Sequence, residues 1–383
     1  MSIDQISLKL HKKLKGKLET RSKIKISNKK ILSAVYTPGV AAVSKAIAVD
    51  SKLAKLYTIK GNTIAVISDG SAVLGLGNIG PLAALPVMEG KAALFKEFAN
   101  LDAFPICLET QDTEEIIKTV KNISPVFGGI NLEDISAPRC FEIEKRLMAE
   151  LDIPVMHDDQ RGTATVVLAA LINALKIKKL KFNQARIVVN GAGAAGTAVA
   201  KAIYAYGGTQ IIVCDSHGVI HSERTDLTPE KKMMADWLKP EIKNINTLED
   251  ALVGADIFVG VSKANLLTPI MIKSMAKQPI IFALANPTPE IMPEIALKAG
   301  AFIVATGRSD FPNQINNVLA FPGIFRGALD NHVTMITDAM LVKAAQNLAA
   351  CVKNPTTKKI LPDPFDKKIV RAVAKAIKKI NTL

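Results

Sequence analysis

RIVVNGAGAAGTAVAKAIYAYGGTQIIVCD, residues 186–215, is the stretch that decides the fold. An apolar run (186–190) leads straight into a glycine loop, the loop opens an alanine-rich helical stretch, and a second apolar run ends in Asp215. Gly191, Gly193 and Gly196 fit the pattern G-x-G-x-x-G, and Asp215 lies 24 residues beyond Gly191. This is the order of a dinucleotide-binding βαβ unit. The first glycine allows a tight turn, the second admits a pyrophosphate to the backbone, and the third lets helix pack on strand. The helix N-terminus then faces the phosphates, and the acid can accept hydrogen bonds from ribose hydroxyls. The competing reading is a structural turn. The residues expected to hold a nicotinamide dinucleotide are Gly191, Ala192, Gly193, Ala194, Ala195, Gly196 and Asp215.

Further apolar runs at 255–261, 279–285 and 301–306 alternate with helical stretches at 196–206 and 268–276. Continuous apolar strands between helices predict a doubly wound parallel sheet of Rossmann type. Upstream lies a different α/β unit, with strands expected at 63–68, 103–108 and 153–157 and helices at 89–99, 113–122 and 139–151. A long helix over 163–179 joins the two. The expected division is an N-terminal α/β substrate domain over 1–160 and an NAD(P)-binding domain with C-terminal helices over 161–383, the last a Lys-rich helix at 367–380. A second glycine match, Gly75, Gly77 and Gly80, is separated from its strand and followed by Pro81. It reads as a tight loop shaping a pocket.

The 383 residues are 49% hydrophobic and 22% charged, an ordinary globular balance that excludes a coiled coil, a collagen or a disordered tail. Cys107, Cys140, Cys214 and Cys351 stand far apart without a CxxC pair, so neither a disulfide framework nor a zinc knuckle is expected. A reducing, cytoplasmic setting fits. The uncharged run 70–88 carries four glycines and two prolines, a poor membrane span, and the N-terminus lacks an apolar signal-peptide core. Of the net charge of +14, residues 1–60 hold +11, from fourteen bases against three acids. Only Tyr36 and Tyr57 interleave these lysines, which favours a solvated face over a nucleic-acid patch that stacks bases.

Three acidic spots follow apolar segments: Asp69 in SDGS, Glu133-Asp134 in GGINLEDI, and Asp158-Asp159 in HDDQRGT. Adjacent carboxylates repel, and buried ones are costly unless paired or bound to a cation. Converging carboxylates without histidine or cysteine suit Mg²⁺ or Mn²⁺ rather than zinc. The alternatives are surface charge and, for Asp158, capping of the helix expected from Thr163.

Seven blocks then stand in order: YTPGVA, SDGSAVLGLGNIGPLAALPVMEGKA, FGGINLEDISAPRCFEIE, HDDQ-x-GTA, VNGAGAAG, ANPTPEI and ATGRSDFPNQ-x-NNVLAFPGIFRGAL. Together they resemble a bacterial malic enzyme of the short type, over nearly the whole chain. The resemblance implies oxidation of L-malate with NAD⁺ or NADP⁺, decarboxylation to enolpyruvate and tautomerisation to pyruvate, in a homodimer or higher homo-oligomer. It implies Tyr36 as general acid, Lys91 as base, Asp158 as its partner, and Glu133, Asp134 and Asp159 as metal ligands. Asn286 would face cofactor or substrate, and Asn317 the substrate. Lys91 would need a depressed pKa to accept the C2 hydroxyl proton.

Departures are few. Ala72 stands where larger members carry an arginine, Arg161 where the HDDQ block usually has histidine, and Ser262–Leu266 (SKANL) replaces an expected Pro-Gly. Arg161 is expected either to lower nearby carboxylate pKa values or to point to solvent. Asp215 should repel a 2′-phosphate and favour NAD⁺, with Ser216, His217 and Arg224 placed to offset it. The rival functions are a malolactic enzyme yielding lactate without net NADH, a basic nucleic-acid-binding protein, and an inactive scaffold.

Overall fold

The computed structural model describes residues 1–73, 75–238 and 245–379. The apolar runs of the first half become β1 (Thr63–Ser68), β2 (Asp102–Cys107) and β4 (Val155–His157), joined by β3 (Gly129–Leu132). These four strands are parallel in the order β2-β1-β3-β4. Every residue of β1 is buried, as a strand covered on both faces requires. β3 is absent from the sequence reading, because a four-residue run opening on glycine carries little strand signal.

The second sheet holds β5 (Arg186–Asn190), β6 (Gln210–Asp215), β7 (Gly218–Val219), β8 (Ile257–Gly260), β9 (Ile280–Ala283) and β10 (Ile303–Thr306). Its order is β10-β9-β8-β5-β6-β7, all parallel except β7, which runs against β6. The chain moves outward from β5 in one direction through β6 and in the other through β8. The glycine loop after β5 therefore lies at the topological switch point, where open α/β sheets bind ligands.

The linking helix runs over Asp158–Lys178, five residues longer at its start than the sequence predicts. It leaves β4 without a loop, so Asp158 and Asp159 form its first turn, where acidic groups face the positive end of the helix dipole. Fourteen of its 21 residues are buried, because it packs between the helices Ala194–Ala205 and Asp338–Ala350. A helix surrounded on all sides has no polar stripe, which is why its sequence shows apolar content without amphipathic rhythm. The helix expected over 89–99 likewise begins earlier, at Gly80, with proline in its first turn, and spans Gly80–Ala99.

The C-terminal helix Phe321–Asp330 returns to the first unit. Phe95 of the helix Gly80–Ala99 meets Phe321 and Phe325 edge-on, at 4.7 and 5.5 Å between ring centroids. One continuous cluster thus includes Ile64 and Met88 from the first unit, Val166 to Leu171 from the linking helix, and Val189 from the second. The last described helix is Lys368–Ala374, and Ile380 lies outside the described residues.

At the other end, the helices Ile3–Leu14, Lys29–Val35 and Val40–Val49 bury no residue. Lys29–Val49 is long and apolar enough to cross a membrane. It folds instead as two helices broken at Tyr36–Pro38–Gly39, with its apolar side chains exposed.

Phe95 is fully buried at the seam between the first unit and the C-terminal helix. Phe95→Ala is expected to lower unfolding stability by about 3–5 kcal/mol, the range for emptying an aromatic from a core. Urea-unfolding midpoints of the two proteins check this; equal midpoints would show that the seam contributes nothing.

Candidate active site

Parallel pairing places the acids together. Ile67 pairs with Leu132, and Leu132 with His157, so these three residues form one row at the carboxyl edge of the first sheet. The residues that follow them, Ser68-Asp69, Glu133-Asp134 and Asp158-Asp159, emerge side by side. Lys91, from the helix Gly80–Ala99, reaches into this row. Its Nζ lies 2.7 Å from Asp158 Oδ2 and 2.8 Å from Glu133 Oε1. The ammonium also sits 4.3 Å above the Phe321 ring, a cation–π contact supplied by the far end of the chain.

Glu133, Asp134 and Asp159 offer oxygens that all lie within 4.8 Å of one another. Asn131 Nδ2 donates to Glu133 Oε2 at 2.8 Å, and the Asp134 backbone N–H donates to Asp159 Oδ2 at 2.8 Å. Asp134 adopts a left-handed backbone, with φ of 53°, which turns its side chain into the group. Its Oδ2 is buried and has no hydrogen-bond partner, and neither has Asp158 Oδ1. Oxygens left unpaired at such depth suit a cation, and an all-carboxylate set suits a hard one such as Mg²⁺ or Mn²⁺.

Burial and mutual repulsion govern the charges. Burial, reinforced by Asp159 and Glu133, pushes Asp134 up to about 9. Burial pushes Asp158 up to about 7 against the pull of Lys91, and raises Glu133 against the same pull. For Lys91, burial works downward, but Asp158, Glu133 and Asp159 outweigh it and hold the ammonium well above the ordinary lysine value. The depressed lysine pKa expected from the sequence is therefore absent while these carboxylates are uncompensated.

The remaining expectations divide. Asn317 opens a short helical turn and lies against Gly162, which in turn lies against Asp158. Asn286 follows β9 and packs between Gly75 and Gly307, so the loop of Gly75, Gly77 and Gly80 is braced against the second unit. Asp69 lies outside the convergent group of Glu133, Asp134 and Asp159: its oxygens accept from Arg139 Nη2 at 2.9 Å and from Ser71 N and Oγ at 2.9 and 2.6 Å. Arg161 neither points to solvent nor joins the cluster. It pairs with Glu144 at 2.8 Å and Asp338 at 3.1 Å, beside a largely apolar cavity of about 380 Å³ on the outer side of the linking helix. Tyr36 stands apart: it is 67% exposed in the turn after Lys29–Val35, with no hydrogen bond or ion pair to the cluster.

The dinucleotide loop has the geometry its glycines predict. Gly191 has φ of 116°, and a side chain at Gly196 would overlap the Gly191 carbonyl. Around Gly193 nothing lies within 4 Å of where a side chain would stand, which leaves that backbone open. The helix Ala194–Ala205 starts there without a side-chain cap, so its first N–H groups are free to meet phosphate oxygens. These residues fit a dinucleotide.

The family description "Malic enzyme, N-terminal domain" matches residues 15–148, and "Malic enzyme, NAD binding domain" matches residues 160–381. This chain belongs to the malic enzyme family. It is 56% identical to the NAD-dependent malic enzyme of Geobacillus stearothermophilus, across 94% of this chain and 76% of that one. It is 53% identical to the bifunctional malic/malolactic enzyme of Bacillus subtilis, across 99% and 93%. Among solved structures, the NAD-dependent malic enzyme of Thermotoga maritima superposes with a TM-score of 0.94 at 50% identity, covering 97% of this chain and 98% of that one.

Three contributors to this malic enzyme site escaped sequence reasoning. Phe321 and Arg139 carry no local signal, because their partners are distant in the chain. Gly162 did carry one: it follows Asp158 by one helical turn, where a side chain would strike the Asp158 carboxylate. Gly162→Ala is expected to displace Asp158 and with it Lys91. Turnover should fall by about 100-fold, the scale of an ångström-level misplacement, with the folded circular-dichroism spectrum kept. Turnover within twofold of the parent would show that Asp158 is not held at this site.

Proposed function

We propose that this chain oxidises L-malate at C2 with NAD⁺ or NADP⁺, decarboxylates the resulting oxaloacetate and tautomerises enolpyruvate to pyruvate. The observation that carries this reading is the meeting of Lys91, Glu133, Asp134, Asp158 and Asp159 at one sheet edge, in a chain of the malic enzyme family. Glu133, Asp134 and Asp159 would hold Mg²⁺ or Mn²⁺, which when bound supplies Lewis acidity to the C1 carboxylate and C2 oxygen of malate. The dinucleotide at Gly191, Ala192, Gly193, Ala194, Ala195 and Gly196 supplies the hydride acceptor.

Lys91 takes the C2 hydroxyl proton. It can do so only when the charge of its acidic neighbours is compensated, which ties proton transfer to a complete site. Asp158 orients Lys91 through their 2.7 Å contact. Asn286 and Asn317 are uncharged and hydrogen-bond substrate or cofactor oxygens without altering that balance. Tyr36 protonates C3 of enolpyruvate and is recharged through Lys91. We place the junction of substrate and dinucleotide units at residue 160, and the enzyme in the cytoplasm, in keeping with its four free cysteines.

Tyr36 reaches the site from a second copy of the chain. What supports this is its exposure, together with the unburied Leu32, Val40, Val43 and Val49 around it. The two helices that flank Tyr36 bury no residue, and large exposed apolar surfaces mark interaction sites. A two-fold dimer would deliver two tyrosines, one into each partner's site.

Two assays test this reading. With L-malate, Mn²⁺ and either dinucleotide, reduced cofactor and pyruvate are expected to rise together and to stop on addition of EDTA. Lactate without reduced cofactor would replace the proposal with the malolactic reaction. In the second assay, inactive Tyr36→Phe and Lys91→Ala proteins are mixed, unfolded and refolded together. Random pairing then gives half heterodimers with one intact site each, and activity should return to about a quarter of the parent. No recovery would place Tyr36 in its own chain's site.

A further inference from the structure

Asp215 ends β6, where a carboxylate usually accepts the ribose hydroxyls of a dinucleotide. Here neither of its oxygens is free. Oδ1 accepts from Arg224 Nη1 and from the His217 backbone N–H, both at 2.9 Å. Oδ2 accepts from Arg224 Nη2 at 3.2 Å and from Lys231 Nζ at 2.6 Å. The Asp215 side chain is 5% exposed and that of Arg224 10%, so the pair is built into the protein, while Lys231 remains 22% exposed. Arg224 is fixed further by Asp226, at 2.9 and 2.6 Å, and by the carbonyl of Val219 at 3.3 Å.

A carboxylate held by two cations no longer presents negative charge to its surroundings. Asp215 thus has no lone pair to offer a 2′-hydroxyl and no net charge to repel a 2′-phosphate. A phosphate arriving there meets the reachable ammonium of Lys231, with the exposed Ser216 and His217 beside it. Asp226 is the second acid in contact with Arg224, and its carboxylate is already engaged by that guanidinium. We infer that Arg224 and Lys231 make the ribose end of this site accept the 2′-phosphate, so that Asp215 does not restrict the enzyme to NAD⁺. The inference rests on the dinucleotide reading and reverses the preference that Asp215 alone suggests.

Calorimetric titration of the full chain, without malate or metal, separates the two ideas. The probes are adenosine 2′,5′-bisphosphate and 5′-AMP, which differ only at the 2′ position. The bisphosphate is expected to bind about tenfold more tightly, the size of one good charge-assisted contact. Lys231→Ala should remove that advantage while 5′-AMP still binds at least as tightly as to the parent, since Asp215 Oδ2 is then free to accept its 2′-hydroxyl, and Lys231→Arg should restore the advantage. Equal affinities in the parent protein, or an unchanged ratio in Lys231→Ala, would overturn the inference. If neither nucleotide nor NAD⁺ binds, the dinucleotide reading itself fails, and this one with it.

Discussion

Three buried or half-buried carboxylates and a fourth, Asp158, share one ammonium at the carboxyl edge of the first sheet, and the site depends on that shortage of positive charge. Water would solvate such a group of acids, but the interior does not. Lys91 answers two of them, Asn131 a third oxygen, and Asp134 is left with a bare oxygen and a strongly raised pKa. In the proposed site a dication at this position would satisfy the remainder. Its charge would also release Lys91 from the pull that now keeps it protonated. Under the proposed function, metal binding and the basicity of Lys91 would be one electrostatic event.

The fold exists to bring these groups together from distant parts of the chain. Parallel pairing in register aligns three strand ends, and the helix leaving β4 without a loop puts Asp158 and Asp159 in its first turn. The second half of the chain then closes the site. Phe321 lies under the Lys91 ammonium, Asn317 beside Gly162, and Asn286 against Gly75. The continuous core runs through the linking helix, so the two units share one apolar seam.

Much of this was legible in the sequence, for physical reasons. Buried parallel strands are apolar throughout, so β1, β5 and β6 stand out with their limits correct, and the glycine loop is forced by close backbone approach. The acids were legible because paired carboxylates after strands are costly without a purpose. The linking helix was misjudged at its start, since two acids after an apolar strand resemble a loop when the helix dipole that favours them is not considered. How Asp69, Arg161 and Asp215 are engaged is defined by their partners, Arg139, Glu144 with Asp338, and Arg224 with Lys231. Against burial, Lys201 and Arg161 hold the Asp338 carboxyl below its ordinary value, one of the two outcomes expected of Arg161. Tyr36 shows the same limit, as its own chain gives it no partner at the cluster.

The central claim is that the carboxylate group is kept in a destabilising arrangement for the sake of a cation. Asp134 gains its proton on folding, so stability falls as pH rises from its ordinary range to about 9 and stays lowered above that, and an uncharged amide there would not cause this loss. The direct measurement is Mn²⁺ titration by calorimetry, paired with metal-free melting temperatures at pH 7, of the parent and Asp134→Asn proteins. One Mn²⁺ per chain is expected for the parent, with binding weakened at least tenfold in Asp134→Asn and a higher metal-free melting temperature for that variant. Unchanged Mn²⁺ affinity, or a variant that melts below the parent, would contradict the central claim.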